Sequence, residues 1–271
     1  MPELPEVETT LRGIQSSIQD EIIQKFLIRR PNLRWPIPKK DLHQLVGFAI
    51  TKISRRGKYL LLSTTQGHIL IHLGMSGRLR ILDKFIEADK HDHVDIVFNN
   101  GTLLRFTDAR RFGALLFIED DPKQHLLLKN LGVEPLNREF SARYLIQQLV
   151  NKQLPIKSAI MDQRIVVGVG NIYAIEALFK SGINPLRAAK TISLCELKLL
   201  VKAIKAILRL AIKQGGSTLK DFLNSDGKPG YFTQQLNVYS RAGLPCVSCQ
   251  TTLQLIRIGQ RSSVYCQQCQ C

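Results

Sequence analysis

The residues able to do chemistry in this chain of 271 residues gather at its two ends. It opens Met1-Pro2-Glu3-Leu4-Pro5-Glu6-Val7-Glu8-Thr9. Removal of the initiator methionine, expected before a small second residue, leaves Pro2 as a free secondary amine. An α-amine titrates near pH ~8, so an appreciable neutral fraction exists at physiological pH. A secondary amine that condenses with a sugar carbon forms an iminium with no N–H proton to lose. That permanent positive charge is an electron sink and makes adjacent C–O bonds labile. Glu3 and Glu6, a turn apart, can move protons. Pro2 also suits an ordinary helix start, and the residues alone leave both uses open.

At the other end, Cys246-x-x-Cys249 and Cys266-x-x-Cys269 are separated by sixteen residues. This spacing fits one zinc held by four thiolates. Each pair can sit on a tight turn, and the stretch between them is long enough for a β-hairpin. With every tetrahedral position filled by protein, no water is left to activate, so the zinc is structural. Two disulfides are the alternative, disfavoured in a reducing compartment. Cys195 stands alone, and Cys271 reads as a frayed terminal thiol. From Gly227 to Cys271 there is no Asp or Glu, while Lys228, Arg241, Arg257 and Arg261 are basic. Arg257 and Arg261 fall near the tip of the expected hairpin, suited to phosphate contact.

The formal charge of +16 implies a polyanionic partner. Its carriers recur along the chain, at Lys25, Arg29, Arg30, Arg34, Lys52, Arg55, Arg56, Lys58, Arg110, Arg111, Lys152 and Lys157, which favours nucleic acid over a one-ended membrane anchor. No run approaches the ~18 apolar residues of a bilayer span. The acidic N-terminus is unlike a signal peptide, so a cytoplasmic protein is expected.

Three segments must position these groups. In the first, 1–130, Val7, Leu11, Ile14 and Ile18 mark one face of an opening helix. Short β-like runs follow at 48–53, 58–63, 69–73, 94–98, 102–106 and 115–118, with Asn100-Gly101 as a hairpin turn. They predict a β-sandwich. The second, 133–225, reads as helical. Ser141 is an N-cap, Pro155 and Asn171 open further helices, and Ser193-Leu194-Cys195-Glu196 is a capping box for a helix stopped at Gly215-Gly216. The third, 236–271, is the cysteine hairpin, preceded by a turn-rich stretch, Ser225 to Gly230, that reads as a mobile loop. The expected class is α+β and multidomain.

Seven further stretches complete the pattern: Arg55-Arg56-Gly57-Lys58-Tyr59, His72-Leu73-Gly74-Met75-Ser76-Gly77, Lys90-His91-Asp92-His93, Arg110-Arg111-Phe112-Gly113, Gly168-Val169-Gly170-Asn171, Asp226-Gly227-Lys228-Pro229-Gly230 and the zinc cysteines. With the opening motif and in this order, the chain resembles the formamidopyrimidine-DNA glycosylases from end to end. The resemblance implies an N-terminal β-sandwich, a helix–two-turns–helix module and a C-terminal zinc finger. It also implies a monomer that excises oxidised purines from double-stranded DNA and then cleaves the backbone by β,δ-elimination. Carried over by motif, Pro2 attacks C1′ of a flipped nucleoside, Glu3 transfers protons with Glu6 in support, and Lys58 donates a proton during elimination. Met75, Arg110 and Phe112 fill the gap left by the flipped base. His91, Lys152 and Asn171 hold phosphates, and Lys157 takes part in lesion recognition. Arg261 grips the phosphate beside the lesion and acts as a late proton donor. The loop from Ser217 to Tyr231 closes over the base.

Each role has a plainer counterpart. Lys58 can be a solvated strand lysine, Met75 and Phe112 core residues, and His91 with His93 a metal pair. Arg55 and Arg56 need supply only positive field. One residue departs from the family: Ala109 stands where a proline is usual before Arg110-Arg111, so a looser loop is expected. Two other functions remain open. One is an endonuclease VIII-type enzyme for oxidised pyrimidines, usually opening Pro-Glu-Gly, against which Leu4 speaks. The other is a non-catalytic zinc-containing DNA-binding protein.

Overall fold

The computed structural model describes residues 2–216 and 236–271. It divides into two compact units, Met1–Lys129 with Gln214–Tyr231, and Asn130–Lys213 with Phe232–Cys271. The Ser225–Gly230 turn region and the Ser217–Tyr231 loop expected from the sequence lie outside the described residues. No described helix is long and apolar enough to cross a membrane.

The first unit begins with α1 (Leu4–Ile18), whose Val7, Leu11, Ile14 and Ile18 are all buried, as their three- and four-residue spacing predicts. Eight strands follow: β1 (Ile23–Ile28), β2 (Lys52–Arg56), β3 (Tyr59–Ser63), β4 (His68–His72), β5 (Arg78–Leu82), β6 (Asp92–Phe98), β7 (Leu103–Thr107) and β8 (Ala114–Ile118), with the short α2 (Lys39–His43) between β1 and β2. They form two antiparallel four-stranded sheets, β1-β6-β7-β5 and β2-β3-β4-β8. Buried side chains of both sheets and of α1 join one hydrophobic core, which makes the unit a β-sandwich. Gly101 turns β6 into β7 at φ +86, as Asn100-Gly101 predicts.

Three details differ from the sequence reading. The 48–53 run is not a strand. Its start only bridges to the 21–23 region, and pairing begins at Lys52 and continues through the charged Arg55 and Arg56. β1 and β5 carry charged residues that hide their period of two. Both are edge strands, where charge guards against stray pairing.

Charge also enters the sandwich. Arg105 on β7 is 1% exposed, and its guanidinium donates to both oxygens of the buried Asp95 on β6 at 2.8 and 2.9 Å. Arg29 adds a third donor to Asp95 at 2.5 Å, and Arg80 meets the neighbouring Asp92 at 3.0 Å. Burial pushes Asp95's carboxyl up, but the bonds from Arg105 and Arg29 outweigh it and hold the group below the usual carboxylate range.

In the second unit, α3 (Ala142–Leu149) is capped by Ser141, whose hydroxyl accepts from the Tyr144 N–H at 3.2 Å. α4 (Ile156–Met161) follows Pro155, and α5 (Asn171–Lys180) starts after Gly170. α6 (Leu194–Lys213) opens on the expected capping box, with the Ser193 N–H donating to Glu196 at 2.8 Å and the Glu196 N–H to Ser193 at 3.3 Å. β9 (Gln254–Ile258) and β10 (Arg261–Tyr265) form the hairpin between the cysteine pairs. Buried Glu176 of α5 accepts the N–H groups of Asn237, Val238 and Tyr239 at 2.8–3.0 Å, fastening the chain that leads into this hairpin. Ile175 of α5 packs with Val238, Leu253 and Val264, so helix and hairpin share a core.

Replacing Arg105 by Leu should leave the Asp95 and Asp92 charges buried with fewer donors. Urea unfolding of Arg105→Leu is expected to show a loss of about 3–5 kcal/mol; an unchanged midpoint would mean that the network is not structural.

Candidate active site

Pro2 is buried just ahead of Glu3, the residue that precedes α1. Glu3 is the N-cap residue of that helix, 3% exposed, and its N–H donates to the carboxylate of Glu6 at 2.8 Å in a capping box. Glu6, 2% exposed, thus orients the chain start. Gly216, at φ +83, lies against it: a Cβ there would sit 3.1 Å from Glu6 Oε1.

Lys58 lies in the tight turn between β2 and β3 and is 7% exposed, so it is not a solvated strand lysine. Arg55 fixes this turn, a role that its place in the sequence does not show. Its Nε donates to Glu8 of α1 at 2.9 Å and its Nη1 to the Gly57 carbonyl at 3.0 Å. One guanidinium thus ties the opening helix to the turn that carries Lys58. Burial pushes the Glu8 carboxyl up, but its bonds to Arg55 and Arg12 hold it below its ordinary value.

His72 is a second residue whose part in the site its sequence position does not disclose. It pairs across β3–β4 with Tyr59, the neighbour of Lys58, with ring centroids 4.8 Å apart. Burial, then the charges of Lys58 and Arg34, push its pKa down to about 4. The imidazole is accordingly neutral near pH 7. Its Nδ1 accepts the Gly74 N–H at 3.0 Å, which puts the ring proton on Nε2 as a donor. Arg34, stacked 4.5 Å over the Trp35 ring, is anchored through its own N–H to the Gly113 carbonyl at 3.0 Å. Only the fold reveals that Arg34 belongs with this group, because nothing in its local sequence marks it.

Met75 occupies the turn between β4 and β5, and Arg110 and Phe112 the loop between β7 and β8. Phe112 is 47% exposed and Met75 half-buried, so neither is an ordinary core residue. The Arg110 guanidinium lies 5.2 Å over the Phe112 ring. Arg111 between them takes φ +57 and reverses the chain so that both neighbours are exposed. His91 is exposed, whereas His93 is buried with Nε2 2.8 Å from the Asp108 carbonyl. The two histidines are not part of any metal-binding group among the described residues.

In the second unit Asn171, the first residue of α5, donates from its side chain to the Ser262 carbonyl at 3.1 Å. Lys157 of α4 donates to Ser263 Oγ at 2.6 Å and is 1% exposed. Lys157 is thus held beneath the hairpin, fixing the strand that starts with Arg261, and does not offer its charge at the surface. Lys157, Met161, Asp162, Gly259 and exposed Arg261 line a cleft of about 300 Å³. Lys152 is half-buried after α3 and near enough to Asp162 to help hold its carboxyl down, after the stronger bond from Arg164.

Cys246, Cys249, Cys266 and Cys269 bring four sulfurs within 4.8 Å of one another, the only such group among the described residues. The Cys249–Cys266 and Cys246–Cys269 separations are 3.4 and 3.9 Å. A tetrahedron with Zn–S bonds of ~2.3 Å has edges of about 3.8 Å, so the four thiols fit one structural zinc. Cys271 is not frayed: its N–H donates to the Gly182 carbonyl and its carbonyl accepts from the Asn184 N–H, both at 3.0 Å, although the residue is exposed.

A β-sandwich whose opening helix follows a buried proline, with a helical unit bearing a four-thiolate hairpin, is the architecture of the zinc-finger DNA glycosylases. Comparison with known proteins makes the family particular. Residues 1–115 match the formamidopyrimidine-DNA glycosylase N-terminal domain, 131–223 the H2TH domain of the same enzymes, and 243–270 the zinc finger found in FPG and IleRS. The chain is 52% identical over 270 residues to the formamidopyrimidine-DNA glycosylase of Hydrogenovibrio crunogenus, covering 100% of this chain and 96% of the relative. The crystal structure of the MutM (Fpg) protein of Thermus thermophilus superposes with a TM-score of 0.89 at 34% identity, covering 99% of this chain and 98% of the other. A Lactococcus lactis Fpg complex with DNA containing N7-benzyl-Fapy-dG gives 0.90 at 32% identity, covering 99% of each chain. The chain belongs to the formamidopyrimidine-DNA glycosylase family.

Because His72 stays neutral in the fold down to about pH 4, against 6.5 for a free histidine, the unfolded chain binds its proton first as pH falls. Stability is expected to decline through that window. In His72→Asn the slope of unfolding free energy against pH should flatten there; an unaltered slope would contradict the depressed pKa. Cys249→Ser is expected to lower bound zinc from one per chain to none by metal analysis, and retention of a full equivalent would show that the fourth thiolate is dispensable.

Proposed function

We propose that the chain is a bifunctional base-excision repair enzyme that removes 8-oxoguanine and formamidopyrimidines from duplex DNA and then cuts the backbone. Its family membership and the lesion-bearing DNA in the Lactococcus lactis complex support the substrate class. The observation that carries the mechanism is the buried chain start, with Pro2 followed by a Glu3 locked in place by Glu6.

With Met1 removed, the Pro2 nitrogen attacks C1′ of the everted nucleoside. The glycosidic bond breaks, its electrons leave with the base, and Glu3 carries the protons that base departure and sugar-ring opening require. The resulting iminium acidifies the C2′ hydrogen. Loss of that proton expels the 3′ phosphate, a further elimination expels the 5′ phosphate, and hydrolysis returns the free amine. Lys58, buried beside His72, supplies a proton during elimination. Arg261 holds the phosphate next to the lesion and donates a late proton. Asn171, Lys152 and His91 bind flanking phosphates, and the Nε2 proton of His72 suits it to the same task. Lys157 acts on lesion recognition through Ser263 and the hairpin. Met75 and Phe112 wedge into the stack while Arg110 bonds to the orphaned partner base. The protein works as a monomer in the cytoplasm on the DNA of the nucleoid.

Borohydride is expected to trap a covalent protein–DNA adduct on a lesion duplex, with the cross-link at Pro2. A cross-link on a lysine, or an equal yield with the N-terminus blocked, would overturn the assigned nucleophile. Excision from duplexes containing 8-oxoguanine should exceed that from thymine glycol; the reverse order would favour the endonuclease VIII type. Affinity should fall with salt, by about 0.9 log units per log unit of salt for each phosphate contacted.

A further inference from the structure

The three gap-filling residues sit on two separate loops, and rigid loops matter because a wedge between bases is effective only if it does not yield. One side chain joins these loops. Asp108 is fully buried at the end of β7. Its Oδ1 accepts the Ser76 hydroxyl at 2.6 Å, and its Oδ2 accepts the Gly113 N–H at 2.7 Å. Ser76 immediately follows Met75, and Gly113 immediately follows Phe112. Ser76 Oγ in turn accepts the Arg110 N–H at 3.0 Å. The Asp108 backbone is fixed as well, donating to the His91 carbonyl at 3.0 Å and accepting from the Arg111 N–H at 3.3 Å. The loops also touch through glycine: a Cβ on Gly74 would lie 2.4 Å from the backbone of Phe112 and Gly113, so only glycine allows that approach.

We infer that Asp108 and Ser76 are positioning residues that lock the Met75 turn and the Arg110–Phe112 loop into one unit, so that base eversion and reading of the orphaned partner depend on this latch. The inference rests on the gap-filling reading above. A carboxylate receiving a hydroxyl and an amide in a buried site is a strong, directional tie. It also supplies the rigidity that a proline would give at Ala109. The expected looseness of that loop is offset by hydrogen bonds made one residue earlier.

The test uses the full-length, zinc-loaded protein with Ser76→Ala, which removes both hydroxyl bonds, and Asp108→Asn, which turns one acceptor into a donor. A duplex with 2-aminopurine next to the lesion reports eversion by fluorescence. Both variants are expected to slow eversion and lesion excision by about 10- to 100-fold, the scale on which a displaced positioning group acts. Cleavage of a ready-made abasic site, which has no base to evict, should fall far less, and Ser76→Ala should melt close to the parent. Equal losses on both substrates, or unchanged eversion in Ser76→Ala, would overturn the latch. Absence of excision by the parent protein would instead sink the proposed function.

Discussion

In the proposed reaction the nucleophile is the chain terminus, which has no side chain to aim it, so its direction depends on the backbone that follows. Here that backbone is set by the hydrogen bond from the Glu3 N–H to the Glu6 carboxylate, in a capping box that is almost completely buried. The bond belongs to a helix start, and the helix owes its place to Val7, Leu11, Ile14 and Ile18 in the sandwich core. Core packing is thereby converted into the position of the amine. The Arg55 guanidinium extends the same frame to the turn of Lys58 through Glu8 and the Gly57 carbonyl.

The chain's positive surplus is managed in two ways. Arg105, Arg29 and Arg80 are spent inside the fold, on two buried aspartates of β6. Lys58 is buried as well, beside an imidazole kept neutral by burial and by neighbouring cations. Arg110 and Arg261 are exposed at the loop and hairpin tips, where a phosphate or base edge can reach them. The total of +16 speaks of a polyanion. It does not distinguish these buried or paired cations from the exposed ones.

The second unit shows how a small metal hairpin acquires a fixed place. Glu176 receives three successive N–H groups ahead of the hairpin, Lys157 donates into it at Ser263, and Asn171 donates to Ser262. Arg261 thus starts a strand held by the zinc cluster at one end and by α4 and α5 along its length. The sequence alone marks the two arginines nearest the tip as candidates for phosphate contact, but it does not distinguish the buried lysine beneath them from a surface one.

The sequence by itself determined what depends on local spacing: the opening helix and its buried face, the Ser141 and Ser193 caps, the Asn100-Gly101 turn, the four zinc ligands and the family. These are set by bonds within a few residues or by periodicity, and the chain carries them wherever it folds. Tertiary structure alone decided the rest. It turned the edge strands β1 and β5 from charged stretches into sheet, gave Arg55, Arg34 and His72 their roles, withdrew Lys157 from the surface and fastened Cys271. It also brought Ser76 and Gly113 onto one carboxylate although they are far apart in the chain. Burial and long-range hydrogen bonding are properties of the packed sandwich and hairpin, and a residue's type does not reveal which partner the packing will bring to it.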